Sequence, residues 1–311
     1  MTLASLRPHT LGLATALLGF SSLSGHAFAQ NAPQNAPASQ TSISAGYVGM
    51  SEADLDAGGT ASVDSAILSI NHTRNLARGS SLGLQFRAEQ DNWKFDGNNR
   101  FGGSPWGDIQ RYSIGVPFMT PLNNDWRLMV TPRAEWAMED GADEGEALTW
   151  GLTVGAMRSY GANRRLGVGL ATFAGLDDEV KVFPFFIVDW RFNEQWRLFN
   201  PLGVGPSGPA GLELAYRFND KWELGLGGSW RSSEFRLSTD NRLARNGIGE
   251  VNYIPVFMHV SWKPTPMIGV DAYAGMAFGG ELKVLNANGD DIRKDDLGSA
   301  PIFGVTGSLR F

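Results

Sequence analysis

The stretch Pro301-Ile302-Phe303-Gly304-Val305-Thr306-Gly307-Ser308-Leu309-Arg310-Phe311 closes the chain. From Phe303 onward every second position is apolar or glycine, and the positions between are small or polar. Because successive side chains of a β-strand point to opposite faces, this segment predicts a strand with one apolar and one polar face. In water such a strand is an aggregation hazard, whereas in a closed transmembrane barrel lipid covers the apolar face.

The last residue carries a more specific pattern. An alternating strand that ends in Phe311 resembles the C-terminal signature of porin-like outer-membrane β-barrels. That resemblance implies that the barrel-assembly machinery reads this end of the chain during biogenesis. We therefore expect Phe311 to serve as an assembly signal.

The first 29 residues predict a secretory signal peptide. Arg7 precedes an apolar run at 11–20, and Ala27-Phe28-Ala29 supplies a small-x-small cleavage site. The run is too short for a transmembrane helix, which needs about 18 apolar residues; the alternative interpretation is a buried core helix. Residues 30–40 repeat the polar sequence Gln-Asn-Ala-Pro and predict a disordered periplasmic arm, which leaves 41–311 for the barrel.

The composition excludes several classes of protein. The chain has no cysteine, which excludes a disulfide framework and thiolate chemistry. The formal charge of −6 becomes −7 once the signal peptide is removed with Arg7, and this acidic balance argues against nucleic acid as a partner. The 39 glycines and 10 tryptophans suit a barrel with tight bends and interfacial aromatic residues. No phosphate loop, metal cluster or nucleotide fingerprint appears, so we predict no cofactor and no metal.

Strand patterns then follow one another through the rest of the chain. We predict fourteen strands, at 42–51, 61–73, 80–93, 107–118, 125–137, 146–159, 165–175, 182–192, 195–200, 210–218, 221–235, 250–262, 267–284 and 301–311. Counting back from Phe311, short turns alternate with longer connections, as expected when both chain ends lie at the periplasmic side. The fold class is therefore all-β, a single antiparallel up-and-down transmembrane barrel; if 195–200 and 210–218 form one unit, the count falls to twelve.

A short repeat supports the same register. The segments 124–128, 193–198 and 219–224 each join a polar turn to Trp, a charged residue and Leu. Tryptophan is favourable at a membrane interface, so these Trp residues would mark the periplasmic ends of upward strands. The charged residue beside each Trp would then point inward.

The alternation places many charged side chains inside the barrel. The predicted pore-lining residues are Arg87, Glu89, Arg111, Arg127, Arg133, Glu135, Asp189, Arg191, Glu213, Arg217, Glu223, Arg231, His259, Asp271 and Arg310. Two interpretations remain open. The charges line a water-filled channel and select solutes, or they pair across the interior and fill it.

One pair of residues raises the question of catalysis. His259 and Ser261 resemble the His-x-Ser of outer-membrane phospholipases and lipid A deacylases, in which a base lies beside a hydroxyl group. The alternation of side chains along the strand points His259 toward the barrel interior, however. A tight hairpin at 263–266 would place it directly opposite Asp271 on the next strand. We expect a histidine hydrogen-bonded to Asp271 rather than a lipid-facing catalytic pair.

The predicted outer loops are acidic, notably at 139–140, 143–144, 177–179 and 290–291. They could hold divalent cations that bridge lipopolysaccharide. The alternative is that these carboxylates are simply solvated, and the Asn288–Asp291 sequence lacks the remaining ligands of a calcium loop.

The run from Trp126 through 185–190, Trp196-Arg197-Leu198 and 211–214 to Phe311 resembles an uncharacterised family of outer-membrane β-barrels, a domain of unknown function. The resemblance implies location in the outer membrane of a Gram-negative cell, with lipid and lipopolysaccharide as surroundings, and imports no activity. Our leading hypothesis is a porin-like passive channel for small polar solutes. The alternative is a non-conducting structural or surface-binding barrel, and a remote third is a lipid acyl hydrolase.

Overall fold

The computed structural model describes residues 38–177, 179–201, 204–206 and 210–311. The predicted signal peptide and residues 30–37 of the predicted arm lie outside this part of the chain. The first strand begins at Ser39, so the last two residues of the predicted arm already pair within the sheet.

The described chain consists almost entirely of β-structure. Its segments are β1 Ser39–Asp54, β2 Thr60–Asn75, β3 Ser81–Asp96, β4 Ile109–Gly115, β5 Phe118–Pro121, β6 Trp126–Glu139, β7 Leu148–Ser159, β8 Arg164–Ala174, β9 Val180–Arg191, β10 Trp196–Phe199, β11 Gly211–Arg217, β12 Trp222–Ser229, β13 Arg231–Arg236, β14 Ile248–Trp262, β15 Ile268–Leu285, β16 Asp291–Leu297 and β17 Ala300–Arg310. A 3-10 turn, Ala77–Gly79, joins β2 to β3. Within the described residues, no helix is long and apolar enough to cross a membrane.

The seventeen segments form fourteen strands, because three pairs of segments lie in line: β4 with β5, β12 with β13, and β16 with β17. Each strand pairs with the next in antiparallel fashion, and β17 returns to β1 from Ser42↔Arg310 to Met50↔Ile302. The sheet is therefore a closed barrel. The predicted fold is confirmed, and the twelve-strand alternative is wrong because β10 exists as a separate strand.

Both ends of the described chain lie at one end of the barrel, which we call the terminal end; the opposite end is the loop end. The connections at the terminal end are short, and three of them share one device. The side-chain oxygens of Asn123, Asn193 and Asn219 accept hydrogen bonds from the backbone N–H groups of Trp126, Trp196 and Trp222 at 2.9, 2.8 and 3.1 Å. This Asx turn explains why the repeat recurs where β6, β10 and β12 begin.

The outer face of the wall is apolar. On β8 and β17 the exposed positions hold Val168, Leu170, Phe303, Val305 and Leu309, while the side chains between them are small, polar or buried. An exposed apolar surface of this extent is normal only where lipid covers it.

Three prolines in strand interiors, Pro132, Pro184 and Pro255, face an interruption of the neighbouring strand. Pro132 of β6 lies beside the break between β4 and β5, where Val116 donates to its carbonyl oxygen. Pro255 of β14 lies opposite the break between β12 and β13 at Trp230. Proline has no backbone N–H and cannot donate a hydrogen bond to a neighbouring strand. At these two positions the neighbouring strand is interrupted, so no hydrogen bond of a continuous strand pair is lost.

Pro184 of β9 follows the same rule at a larger interruption. The odd-numbered residues of β9 point their backbone groups at β8, as Arg191 shows by donating to Asn163 O at 2.8 Å. The backbone groups of the even-numbered residues point away from β8. Val188, for example, donates its N–H to the Asn200 side-chain oxygen and accepts from the Asn200 backbone N–H. The neighbouring β10 and β11 are short, so within the described residues the edge of β9 from 180 to 187 has no recorded strand partner. The nitrogen of Pro184 faces this free edge.

The loop end is narrower than the terminal end. Beyond the tops of β7 to β11, β13 approaches β6 directly and makes one parallel pairing, Arg236↔Met138. The Arg236 side chain donates to Leu176 O at 2.7 Å and to Glu146 O at 3.0 Å, and thereby holds two loops over the shortened strands.

One predicted loop is in fact a hairpin. The expected long connection at 285–300 contains β16, whose residues pair with the upper part of β15, and only 286–290 turn. The segment is charged at almost every position, so it lacks the alternation by which the membrane-embedded strands are recognised. One face of this hairpin, with Leu282, Val284 and Leu297, is buried in the interior apolar cluster, and the other face carries charged side chains, so the hairpin lacks the apolar outer face of the strands below it.

The free edge of β9 predicts an asymmetry in proline tolerance. Val182→Pro should assemble normally because the Val182 N–H points at the free edge, whereas Phe183→Pro removes a donor that faces β8 and should reduce assembly. The folded fraction can be measured as heat-modifiable migration on gels, with Val182→Ala and Phe183→Ala as volume controls. Equal assembly of the two proline variants would contradict the register.

The closing strand predicts a second effect. Phe311 and Thr41 exchange two backbone hydrogen bonds, at 2.7 and 2.9 Å, at the seam of the barrel. We expect deletion of Phe311 to impair insertion, since the seam loses both bonds and the assembly machinery loses its signal. Outer-membrane yield of the truncated and full-length chains would test this, and full yield of the truncated chain would refute it.

Candidate functional site in the barrel interior

Charged side chains at mid-height of the barrel form a connected group that we call the charge belt. Its members come from β3, β4, β6 and β13 and are Arg87, Glu89, Asp91, Arg111, Arg133, Glu135 and Arg231. All but Asp91 are among the predicted pore-lining residues of the sequence.

Arg111 is the centre of the charge belt. Its guanidinium group lies 3.3 Å from Asp91, 3.6 Å from Glu89 and 3.6 Å from Glu135. Arg133 contacts the same Glu135. The Arg111 pairs join β4 to the neighbouring strands β3 and β6, as cross-strand opposite charges do when they stabilise a sheet, whereas Arg133 and Glu135 lie on the same strand.

A further ion pair crosses the barrel. Arg231 of β13 lies 3.6 Å from Glu89 of β3, although these strands belong to opposite parts of the wall. The side chains of Glu89 and Glu135 are only 4% and 1% exposed. At this level one ion pair therefore crosses the interior, between side chains that are largely shielded from solvent.

Above the charge belt, two loops fold into the loop end and form what we call the plug, residues 97–108 and 237–247. Trp106 is 2% exposed and packs edge-on against Trp93, Phe95 and Phe235 of the wall, with ring centroids 5.1–5.8 Å apart. Leu237 of the second loop is fully buried in the same cluster. The plug is thus held mainly by apolar and aromatic packing.

A single carboxylate ties the two plug loops to the wall. Glu139, the last residue of β6, accepts hydrogen bonds from the backbone N–H groups of Gly107 and Ser238, both at 2.8 Å, and from the Asn241 amide at 3.1 Å. Asn241 in turn donates to Pro105 O at 2.9 Å. The sequence pattern predicts that Glu139 is one of the solvated carboxylates of the loops. Its role depends instead on the path of the two plug loops, which no periodic pattern of the sequence predicts.

Residues 204–206, between β10 and β11, also reach the interior. Val204 packs on Val48 and Ile67 of the far wall, and Gly205 O accepts a hydrogen bond from Arg231 at 3.1 Å. The described residues 204–206 therefore lie against the charge belt from the terminal side.

His259 lies between two carboxylates. Its Nδ1 is 2.8 Å from Glu213 and its Nε2 is 3.0 Å from Asp271, while its ring stacks on Tyr273 at 4.7 Å. The expected opposition to Asp271 is wrong by two residues, since His259 pairs with Tyr273 and Asp271 pairs with Ser261. A shift of two keeps every side chain on its face, which is why the hydrogen bond to Asp271 still forms. With both ring nitrogens engaged, His259 has no free nitrogen to take a proton from Ser261.

Below these groups, the interior widens toward the terminal end into a region that we call the vestibule. Its arginines are Arg127, Arg165, Arg191, Arg197 and Arg217, and its carboxylates are Asp189 and Glu223. Arg310 ends β17 at the same level, opposite Ser42. The exposed fraction of the side chains is 1–23% in the charge belt and 11–37% among the vestibule residues that form ion pairs.

The predicted pore-lining residues omitted Arg165 and Arg197, although the structure brings both to the vestibule. Arg197 follows Trp196 in the turn repeat, where an inward charge is expected. Arg165 is bonded to Asp189 at 3.2 Å from the neighbouring strand, and only the observed register reveals this pairing. Among the described residues, no group of three His, Asp or Glu side chains is arranged to hold a metal ion.

Residues 36–283 match the family described as a domain of unknown function (DUF6268), and the chain belongs to this family. No curated protein matches the sequence.

Among solved structures, the barrel is similar to an outer-membrane channel (COG4313) of Pseudomonas putida F1, with 12% identity, 90% of this chain and 99% of that chain covered, and a TM-score of 0.49. A FadL homologue of Pseudomonas aeruginosa has 11% identity, coverage of 89% and 93%, and a TM-score of 0.47. The toluene transporter TodX of P. putida has 10% identity, coverage of 89% and 91%, and a TM-score of 0.45. Similarity at this level concerns barrel architecture alone.

The cross-barrel ion pair predicts non-additive stability. Arg231→Met and Glu89→Gln should each lower the free energy of unfolding by about 1–3 kcal/mol, because each removes one of the partners of a buried charge. The double variant should lose less than the two losses added together. Urea titration of the barrel in detergent would measure this, and strictly additive losses would contradict the contact.

Proposed function

We propose that the protein is an outer-membrane channel for small polar solutes, held closed in the conformation described. The supporting observation is the continuous charged wall that leads from an exposed vestibule to the charge belt. Ionisable groups inside a membrane protein are costly and usually mark a pathway for polar solutes. The plug and the charge belt then act as the barriers that a solute must pass.

The orientation and location belong to the same proposal. The secretory signal pattern, the Phe311 end and the apolar outer face support insertion into the outer membrane with both chain ends in the periplasm. The vestibule then faces the periplasm, and the plug faces the outside of the cell. Lipid and lipopolysaccharide surround the wall, and the barrel-assembly machinery is the partner during biogenesis.

A non-conducting barrel is the second candidate. It is favoured by the Arg231–Glu89 pair, which spans the interior, and by the buried plug. Such a barrel would display its loops or its vestibule as a binding surface without passing a solute.

Planar-bilayer conductance separates these candidates. We expect rare single-channel steps from the unaltered protein and frequent or larger steps from Glu139→Ala, since this change removes three hydrogen bonds that tie the plug to the wall. Asp140→Ala is the matched control, because Asp140 is an exposed neighbour whose recorded bonds within the described residues are to the Gln110 amide and, through its own N–H, to Asp108 O.

The outcomes divide clearly. Silence from the unaltered protein and from Glu139→Ala would favour the non-conducting barrel. Equal conductance of the two would leave the channel but remove the plug as its barrier. Lipase activity that is lost in Ser261→Ala would overturn both candidates in favour of an acyl hydrolase.

A further inference from the structure

The vestibule carries an excess of positive charge. Five guanidinium groups, from Arg127, Arg165, Arg191, Arg197 and Arg217, share it with two carboxylates, from Asp189 and Glu223. In the charge belt, by contrast, four arginines meet three carboxylates. The imbalance is therefore local to the end of the interior that solvent reaches.

The carboxylates of the vestibule are already shared. Asp189 accepts from Arg197 at 2.7 Å and from Arg165 at 3.2 Å, so both of its oxygens are used. Glu223 lies 3.8 Å from Arg217. Among the described residues, no carboxylate lies within ion-pair distance of Arg191; Asp189 and Glu223 attract it only from farther away, and each of them already contacts another arginine.

Arg191 is also placed against another cation. It lies directly opposite Arg197 on the neighbouring strand, and Arg217 repels it as well. Like charges directly opposite each other in a sheet are destabilising. An anion that binds between the two guanidinium groups would turn this repulsion into attraction.

We propose that the vestibule is a binding site for small oxyanions, carboxylates or phosphates, with Arg191 and Arg197 as its principal ligands and Arg217 and Arg127 beside them. Planar guanidinium groups match both carboxylate and phosphate oxygens with paired hydrogen bonds. A cleft with low-dielectric walls and one sign of charge also concentrates the opposite ion. The inference rests on the proposed channel for its role in transport, while binding itself does not require conduction.

Binding is tested directly on the full barrel in neutral detergent, with citrate and pyrophosphate as probes, by titration calorimetry. We expect saturable binding that weakens as salt is raised, and about tenfold weaker binding by Arg191→Gln, the loss expected when one charge-assisted hydrogen bond is removed. Arg164→Gln is the matched control. Arg164 has the same charge one residue from Arg165, but it stacks on Tyr160 and Trp190 on the opposite face.

Thermal unfolding distinguishes a ligand from a structural residue. Arg191→Gln should melt at the same temperature as the unaltered barrel or above it, because the repulsion from Arg197 is relieved. A lower melting temperature would assign Arg191 to the structure of the wall and overturn its role as a ligand.

Reversal potentials under a potassium chloride gradient connect the site to transport. Neutral phosphatidylcholine bilayers are used so that anionic lipid headgroups do not contribute.

Preference for chloride that falls in Arg191→Gln, together with citrate binding, supports the site. Conduction with no anion preference and no binding overturns the site but leaves the channel. Binding by a silent barrel leaves the site but overturns the channel, and a silent barrel that binds neither probe removes both. Binding only of anionic lipid, in place of citrate and pyrophosphate, overturns the solute site.

Discussion

Backbone donors and acceptors within lipid need partners inside the protein, and along most of its wall this barrel supplies them through continuous strand pairing, the free edge of β9 at 180–187 being the exception. The sheet closes through the pairing of β17 with β1, and the bonds between Thr41 and Phe311 complete the seam. The prolines obey the same requirement. Pro132, Pro184 and Pro255 lie where the neighbouring strand is interrupted or ends. The backbone N–H that each proline lacks therefore costs no hydrogen bond of a continuous strand pair.

A second constraint acts on the interior. Charges that leave water must be paired, and the charge belt meets this condition by linking Arg111 to three carboxylates and Arg231 to Glu89 across the barrel. The vestibule meets it only in part, because Arg191 opposes Arg197 without a recorded carboxylate of its own. The difference follows the exposure of the two regions: unpaired charge is tolerable where water enters, and it is there that a charged solute can bind.

The interior is thus arranged in layers with different physical character. The vestibule is wet and basic, the charge belt is paired and dry, and the plug is apolar and anchored by Glu139. A barrel that served only as a membrane anchor would need none of this gradation. A channel needs a selective entrance and a barrier, and the three layers supply both.

The sequence by itself determined the barrel class, the strand number and the face on which most charges lie, because strand alternation and turn chemistry are local properties of the chain. The Asn-to-Trp turns and the alternating strand that ends at Phe311 are examples. The inward direction of the His259 side chain is also predicted correctly, although the predicted register of its hairpin is wrong by two residues. Only the tertiary structure decided which charges meet. The contact between Arg231 and Glu89, the plug tie at Glu139 and the opposition of Arg191 to Arg197 depend on barrel radius, register and the inward path of loops. These arise from closure of the whole sheet, and no periodicity along the chain encodes them.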